Sequence, residues 1–140
     1  MTDAVVKARA GENPRLKFRQ LTGLYAIVRF AADAVIPAWA TRGEFTSITR
    51  SAEELSIVCS AENVPAEFGA GLRWVCLKLE GPFPFSQTGV LLSFIEPLSN
   101  NGVPIFAIST FDTDYVLVPQ EQIIRAQDLL NEAGHERLVG

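Results

Sequence analysis

The sequence predicts an α+β protein made of two tandem units, each an antiparallel sheet with helices on one face. Three observations lead there. The second half reads strand, helix, strand, strand, helix, strand from its hydrophobic periodicities. The first half reads as a clipped version of the same order. A displacement of 60 positions lays one half on the other, with Ile48 on Ile108, Glu54 on Asp114, Leu55 on Tyr115, Ile57 on Leu117 and Val58 on Val118. Such a unit cannot bury both its sheet and its helices alone, so the two are expected to share a sheet or pack side by side.

Composition narrows the class. The 140 residues are 48% hydrophobic and 20% charged, which marks a globular chain, and the net charge of −4 argues against nucleic acid, which needs a basic face. Lys7, Arg9, Arg15, Lys17 and Arg19 are spread out as on a solvated face. No apolar stretch approaches the roughly 20 residues that span a bilayer, so no membrane segment is expected. The start of the chain lacks an apolar signal core, which argues against export. Cys59 and Cys76 both sit inside apolar runs and read as small buried hydrophobes, not a disulfide. A reduced, cytoplasmic protein is the expectation.

Each element follows from its pattern. Residues 1–14 carry Gly11 and Pro14 without periodicity and are expected as a flexible tail. The first, degenerate unit is assigned to 15–68. It opens on a short edge strand from Arg15, in which Leu16 and Phe18 alternate with Arg15, Lys17 and Arg19. Strands follow at Leu24–Phe30, Phe45–Thr49 and Leu55–Cys59. Pro37 suits the start of a helix of one or two turns, and Ser60 the cap of a brief turn ending before Pro65. The stretch Ala66–Gly71 reads as a linker.

The second unit is assigned to 69–140. Arg73–Glu80 alternates as a strand, and Gly81–Ser86 is a rigid Pro-rich loop with Ser86 placed to cap a helix beginning at Gln87 or Thr88. Leu91, Phe94, Ile95 and Leu98 form the helical stripe. Pro97 lies inside it and removes the backbone bond to Ser93, so a kink or a shortened last turn is expected. Gly102 suits a left-handed cap. Two apolar runs, Ile105–Ile108 and Tyr115–Val118, then flank a polar knot, Ser109–Asp114, as a hairpin with a polar tip. Pro119 leads a last helix with Ile123, Ala126, Leu130 and Ala133 on one face, Gly134 ends it, and a short strand follows.

This order, with Gly89 opening the helix and Gly102-Val103-x-Ile105 entering the next strand, resembles an ACT domain. The run Ile108-Ser109-Thr110-Phe111-Asp112-Thr113-Asp114-Tyr115-Val116-Leu117-Val118 is similar to the small bacterial tandem-ACT proteins and to the ACT units of the animal cytosolic arginine sensor. The regulatory domains of aspartate kinases carry relatives. Trp74-x-Cys76-Leu77-Lys78-Leu79-Glu80-Gly81-Pro82 and Leu55–Cys59 fit the same bacterial group, and the likeness extends from about Leu16 to His135. It implies a ferredoxin-like βαββαβ fold, homodimerisation, and an amino acid or similar small effector held at the seam between paired units. Carried over, one wall is Pro84, Phe85, Ser86, Gln87 and Thr88, and the other Thr110, Phe111 and Asp114. Thr110-Phe111-x-x-Asp114 matches positions that face the ligand's guanidinium in the sensor. Gln87 stands where the sensor has an acidic group, a departure that bears on arginine itself.

The residues allow that chemistry on their own terms. A helix N-terminus near Ser86 to Gly89 offers unpaired amides to an α-carboxylate. Asp112 or Asp114 can take a cation through a charge-assisted bond worth about 1.5–3 kcal/mol. The same residues also suit plainer roles, Ser86 as a cap and the two Asp as turn holders. Asp112-x-Asp114 lacks the further ligands and glycine of a calcium loop, so no metal and no cofactor are expected. His135, the single histidine, reads as a surface residue at a helix end. Trp39 and Trp74 read as core. Phosphate-cradling loops, nucleophile elbows and paired-cysteine sites are absent, which argues against catalysis, and together with the resemblance this leads to the expectation of a non-catalytic regulatory or sensor protein. The alternative is an interaction module without a ligand that binds a protein partner, and an enzyme ranks last.

Overall fold

The computed structural model describes residues 5–6, 14–68, 71–81 and 88–139. In chain order its strands are β1 (Val5–Val6), β2 (Arg15–Gln20), β3 (Tyr25–Phe30), β4 (Ser47–Arg50), β5 (Leu55–Ser60), β6 (Trp74–Leu79), β7 (Phe106–Ser109), β8 (Asp114–Pro119) and β9 (Glu136–Leu138). The helices are α1 (Val90–Ser99) and α2 (Ile123–Glu132), with short 3-10 turns at Ala38–Thr41, Ala61–Asn63, Ala66–Phe68 and Gln120–Gln122. Contacts divide the chain into one unit of Met1–Leu21 with Cys76–Gly140 and a second of Thr22–Val75. The order β6-α1-β7-β8-α2-β9 is the ferredoxin-like βαββαβ arrangement of an α+β fold.

In the first unit the strands run β9, β2, β6, β8, β7 across the sheet. The edge-strand expectation for Arg15–Gln20 is corrected here, because β2 is bonded to β6 on one side and to β9 on the other. The β2–β9 pair is also parallel, so this sheet is mixed where an antiparallel one was expected. The reason lies in what each strand can bury. Leu16 and Phe18 are fully buried, whereas β9 is three residues long with Glu136 and Arg137 exposed. The apolar strand takes the interior position beside β6, and the polar one is left outside it. Val5–Val6, within the expected flexible tail, pairs with Leu16 and Arg15; the rest of that tail, apart from Pro14, lies outside the described residues.

The helical stripes bury as their spacing requires. α1 buries Val90, Phe94 and Leu98, and α2 buries Ala126 and Leu130, while Ala133 is exposed. Phe94 meets Phe18 edge-on at 5.2 Å, a geometry aromatic pairs prefer. Pro97 does not shorten α1, which runs on to Ser99 with the Asn100 N–H on the Glu96 carbonyl at 2.9 Å. The Ser93 carbonyl that Pro97 orphans is satisfied instead by His135, whose Nε2 lies 2.9 Å from it. The surface expectation for His135 is therefore corrected: it is 3% exposed. Its Nδ1 accepts from the Leu16 N–H at 3.0 Å, which fixes the Nε2–H tautomer.

Both helices end in the same way. Val103 N–H bonds the Leu98 carbonyl at 3.0 Å and Gly102 N–H the Ser99 carbonyl at 3.2 Å; His135 and Gly134 repeat this on Leu130 and Asn131, each at 3.0 Å. These are Schellman ends, with Gly102 at φ +77° and Gly134 at φ +95°.

The second unit pairs β3 with β5 along its whole length and β4 with β5 beyond it, all antiparallel. Its core is Ala40, Leu55, Ile57 and Cys59, with Phe30, Ala34, Trp39, Ile48 and Val64 packed against them. The helix expected after Pro37 is one 3-10 turn that delivers Ala40 to this core. Ala66–Phe68, expected as linker, forms another turn, and Phe68 packs 5.3 Å from Phe30 and 5.8 Å from Trp39. Both cysteines are free and buried, and burial pushes the Cys59 thiol pKa up.

The two capping glycines differ in surroundings. A Cβ on Gly102 meets nothing within 4 Å, whereas one on Gly134 falls 3.1 Å from the Arg15 Nε. Gly102→Ala should cost about 1–2 kcal/mol of backbone strain, and Gly134→Ala more than that. Urea denaturation of the two variants checks the order, and equal losses would refute it.

Candidate functional site

The candidate site is built on the β7–β8 hairpin. These strands pair Phe106 with Leu117, Ile108 with Tyr115 and Ser109 with Asp114. Thr110–Thr113 closes the loop. The Thr110 N–H donates to the Thr113 carbonyl at 2.8 Å, and the Thr110 hydroxyl donates to the same carbonyl at 2.9 Å. That hydroxyl also accepts from the Thr113 N–H at 3.3 Å. A threonine side chain thus supplies the turn bonds that the backbone alone would leave open.

The β4–β5 hairpin is closed by the same device. The Ser51 N–H donates to the Glu54 carbonyl at 2.9 Å, and the Ser51 hydroxyl accepts from the N–H groups of Glu53 at 3.1 Å and Glu54 at 3.2 Å. Because β4–β5 pairs Arg50 with Leu55 where β7–β8 pairs Ser109 with Asp114, the hairpins correspond one residue out from the sequence alignment. Ser51 matches Thr110, Glu54 matches Thr113, and Asp114 falls on Leu55 rather than Glu54. A one-residue slip exchanges the two faces of a strand, and only the pairing register reveals it.

Each tip is moored to the strand that pairs with the second strand of its hairpin, by different chemistry. Thr113 is 7% exposed and donates its hydroxyl to the Leu79 carbonyl on β6 at 2.8 Å. Nothing in the residue pattern singles out Thr113; its signal is the hydroxyl two places from a buried strand run. In the second unit Arg29 on β3 donates to the Glu53 carbonyl at 3.0 Å and lies 3.8 Å from the Glu54 carboxylate. That ion pair is exposed and contributes little, whereas the buried Thr113 bond holds a carbonyl with no access to water.

The expected site residues fall into three groups. Thr110, Phe111, Asp112 and Asp114 are brought together in one tip. Phe111 is 79% exposed there, Asp112 is exposed, and the half-buried Asp114 accepts from the Ser109 hydroxyl at 2.5 Å. Thr88 is exposed and precedes Gly89, the left-handed N-cap of α1, so the helix begins at Val90, later than expected. Among the described residues no hydrogen bond joins Thr88 to the tip. Ser86 and Gln87, with Pro84 and Phe85, lie outside the described residues. No group of three or more His, Cys, Asp or Glu among the described residues is placed to hold a metal ion. No helix among them is long and apolar enough to cross a membrane. If Thr113 anchors the tip, Thr113→Val should lower stability by about 1–3 kcal/mol and Thr113→Ser should recover most of it. Chemical denaturation decides, and a valine variant as stable as the parent would remove the anchor.

Comparison with known proteins agrees with this geometry. Residues 70–132 match the family model of the ACT domain, and a model of an N-terminal domain matches residues 23–67. The human protein CASTOR3P is 30% identical over 91 residues, 56% of this chain, and the match spans 56% of that protein's length. A crystal structure of an Agobacterium tumefaciens protein is 46% identical, with TM-score 0.83, over 91% of this chain and 95% of the other. A Vibrio cholerae protein described as a possible transport protein shares the fold at 18% identity, with TM-score 0.68 over 84% of this chain and 89% of that one. Residues 70–132, which hold β6, α1, β7, β8 and α2, match the ACT domain, and through them the chain is related to the ACT-domain proteins.

Proposed function

We propose that this protein is a non-catalytic regulatory protein that binds an amino acid or a similar small effector, with the β7–β8 tip as one wall of its site. The observation that carries this reading is the tip itself. An ACT domain presents Phe111 and Asp112 outward on a turn whose backbone is held by Thr110 and Thr113. A fixed turn loses little entropy on binding, so an aromatic face and carboxylates on it suit a small zwitterion or cation. The remaining wall in this reading is the entry to α1, with Ser86, Gln87 and Thr88 meeting the ligand's carboxylate at the helix N-terminus. Asp114 adds a carboxylate beside Asp112.

Two further parts belong to the same reading. The protein acts in the cytoplasm, where its two buried free thiols stay reduced. It forms a homodimer, for which the β7 edge is available because among the described residues β7 pairs only with β8. Occupancy then changes behaviour only if the ligand favours one association state over another.

Calorimetry against the twenty amino acids tests the binding. At least one should bind the parent protein, and Asp114→Ala should weaken it roughly 10-fold or more. Circular dichroism must show the variant folded, since Asp114 also takes the Ser109 hydroxyl. No heat from any amino acid at millimolar concentration, or unchanged affinity in the variant, would overturn the site. Sedimentation equilibrium tests the dimer, and a monomer at all concentrations would end that part.

A further inference from the structure

We propose that His135 acts as an acid-sensitive latch that holds the start of β2 against α1 in the first unit through its neutral ring. The ring joins two backbone groups that have no other partner in their own element. Pro97 has no N–H for the Ser93 carbonyl, and His135 Nε2–H supplies one at 2.9 Å. On the other side Nδ1 accepts the Leu16 N–H at 3.0 Å. Ser93 makes a third tie, its hydroxyl donating to the Pro14 carbonyl. The start of β2 is thus fastened to α1 through Leu16, Ser93 and His135, all buried, and the half-buried Pro14.

Only the neutral ring can make both bonds. A proton on Nδ1 removes the acceptor for Leu16 and sets two donors face to face, while placing a charge in a buried position. The Ser93 bond survives protonation and favours it, so the contact that opens is the one to β2. The charged groups around the ring do not offset this. From β2, Arg15 runs across Gly134 and is itself a cation. From α1 the ring meets the Ser93 carbonyl and the Phe94 ring, 5.4 Å away. α2 offers the Leu130 carbonyl, which takes the His135 N–H, and on β9 the adjoining Glu136 and Arg137 are exposed. Among the described residues no carboxylate hydrogen-bonds the ring, and backbone groups occupy both nitrogens.

Burial accordingly holds the His135 pKa below its ordinary value of 6.5, with the Ser93 carbonyl acting weakly the other way. The sign follows. The unfolded chain takes up the proton first, so the stabilisation is complete above 6.5 and is lost as pH falls through 6.5 toward the lower folded value. Within that window one proton lowers the folding constant by up to about 10-fold per pH unit.

The 140-residue sequence has a single histidine, so its ring signals in NMR are unambiguous. The ring should be the Nε2–H tautomer at about pH 7.5 and titrate below 6.5 while folded. The Leu16 amide, corrected for intrinsic exchange, should exchange at least roughly 10-fold faster as pH falls to about 5. His135→Gln should remove the matching slope from the pH dependence of denaturation. Combined with Pro97→Ala, which returns a helical donor to Ser93, it should cost less than the two changes separately. A folded ring titrating at or above 6.5, an unchanged slope in His135→Gln, or additive losses in the double variant would overturn the latch. The NMR arm needs no variant to fold.

Discussion

A backbone polar group shut away from water must find a partner, and the first unit depends on how one such demand is met. Pro97 lies half-buried beside the buried stripe of α1 and leaves the Ser93 carbonyl without its helical donor. Leu16 must be buried for β2 to hold its interior position, and its N–H then needs an acceptor. A single imidazole answers both. Its position is set by the end of α2, where Gly134 turns the chain and the His135 N–H closes on Leu130. The proline, the left-handed glycine and the histidine therefore form one arrangement, although each has an ordinary role when considered alone. Phe94 packs against both Phe18 and the His135 ring, so the same place is also the aromatic centre of the unit.

The two hairpins show how one solution is kept while its surroundings change. In each a Ser or Thr hydroxyl closes the loop on the residue three places on, and in each the loop is tied to the strand beside the hairpin. In the second unit the tie is Arg29, an exposed cation reaching the Glu53–Glu54 turn. In the ACT unit the tie is the buried Thr113 hydroxyl, and no cation is spent on it. Acidic groups at one tip are thus partly answered from within the unit, while Asp112 at the other faces solvent. This difference makes the β7–β8 tip the better candidate of the two for a ligand.

Much of the fold was legible because it rests on local periodicity. Leu91, Phe94 and Leu98, the alternation of β2 and β6, and the capping glycines each declare their element within a few residues. The candidate site was legible only as composition and as a resemblance. Thr110, Phe111, Asp112 and Asp114 stood out as a polar knot between apolar strands, and they do share one tip. Which of them hold the turn and which face outward depends on the pairing of Ser109 with Asp114 and on a carbonyl at Leu79, thirty-four positions away. The alignment of the two halves failed by one residue for the same reason, since strands look alike at either register.

The sequence by itself determined the order of the main strands and helices, most of the apolar positions that form the core, the glycines that end both helices and the resemblance of residues 70–132 to an ACT domain. These follow from patterns of two, three or four residues, within which side-chain size and backbone freedom act directly. The tertiary structure alone decided that β2 lies between β6 and β9, that His135 is buried rather than exposed, and that Thr113 fastens the tip. Each of these is a pairing across a long stretch of chain. Its partners are chosen by which buried backbone groups remain unsatisfied once the fold has closed, and no local pattern records that.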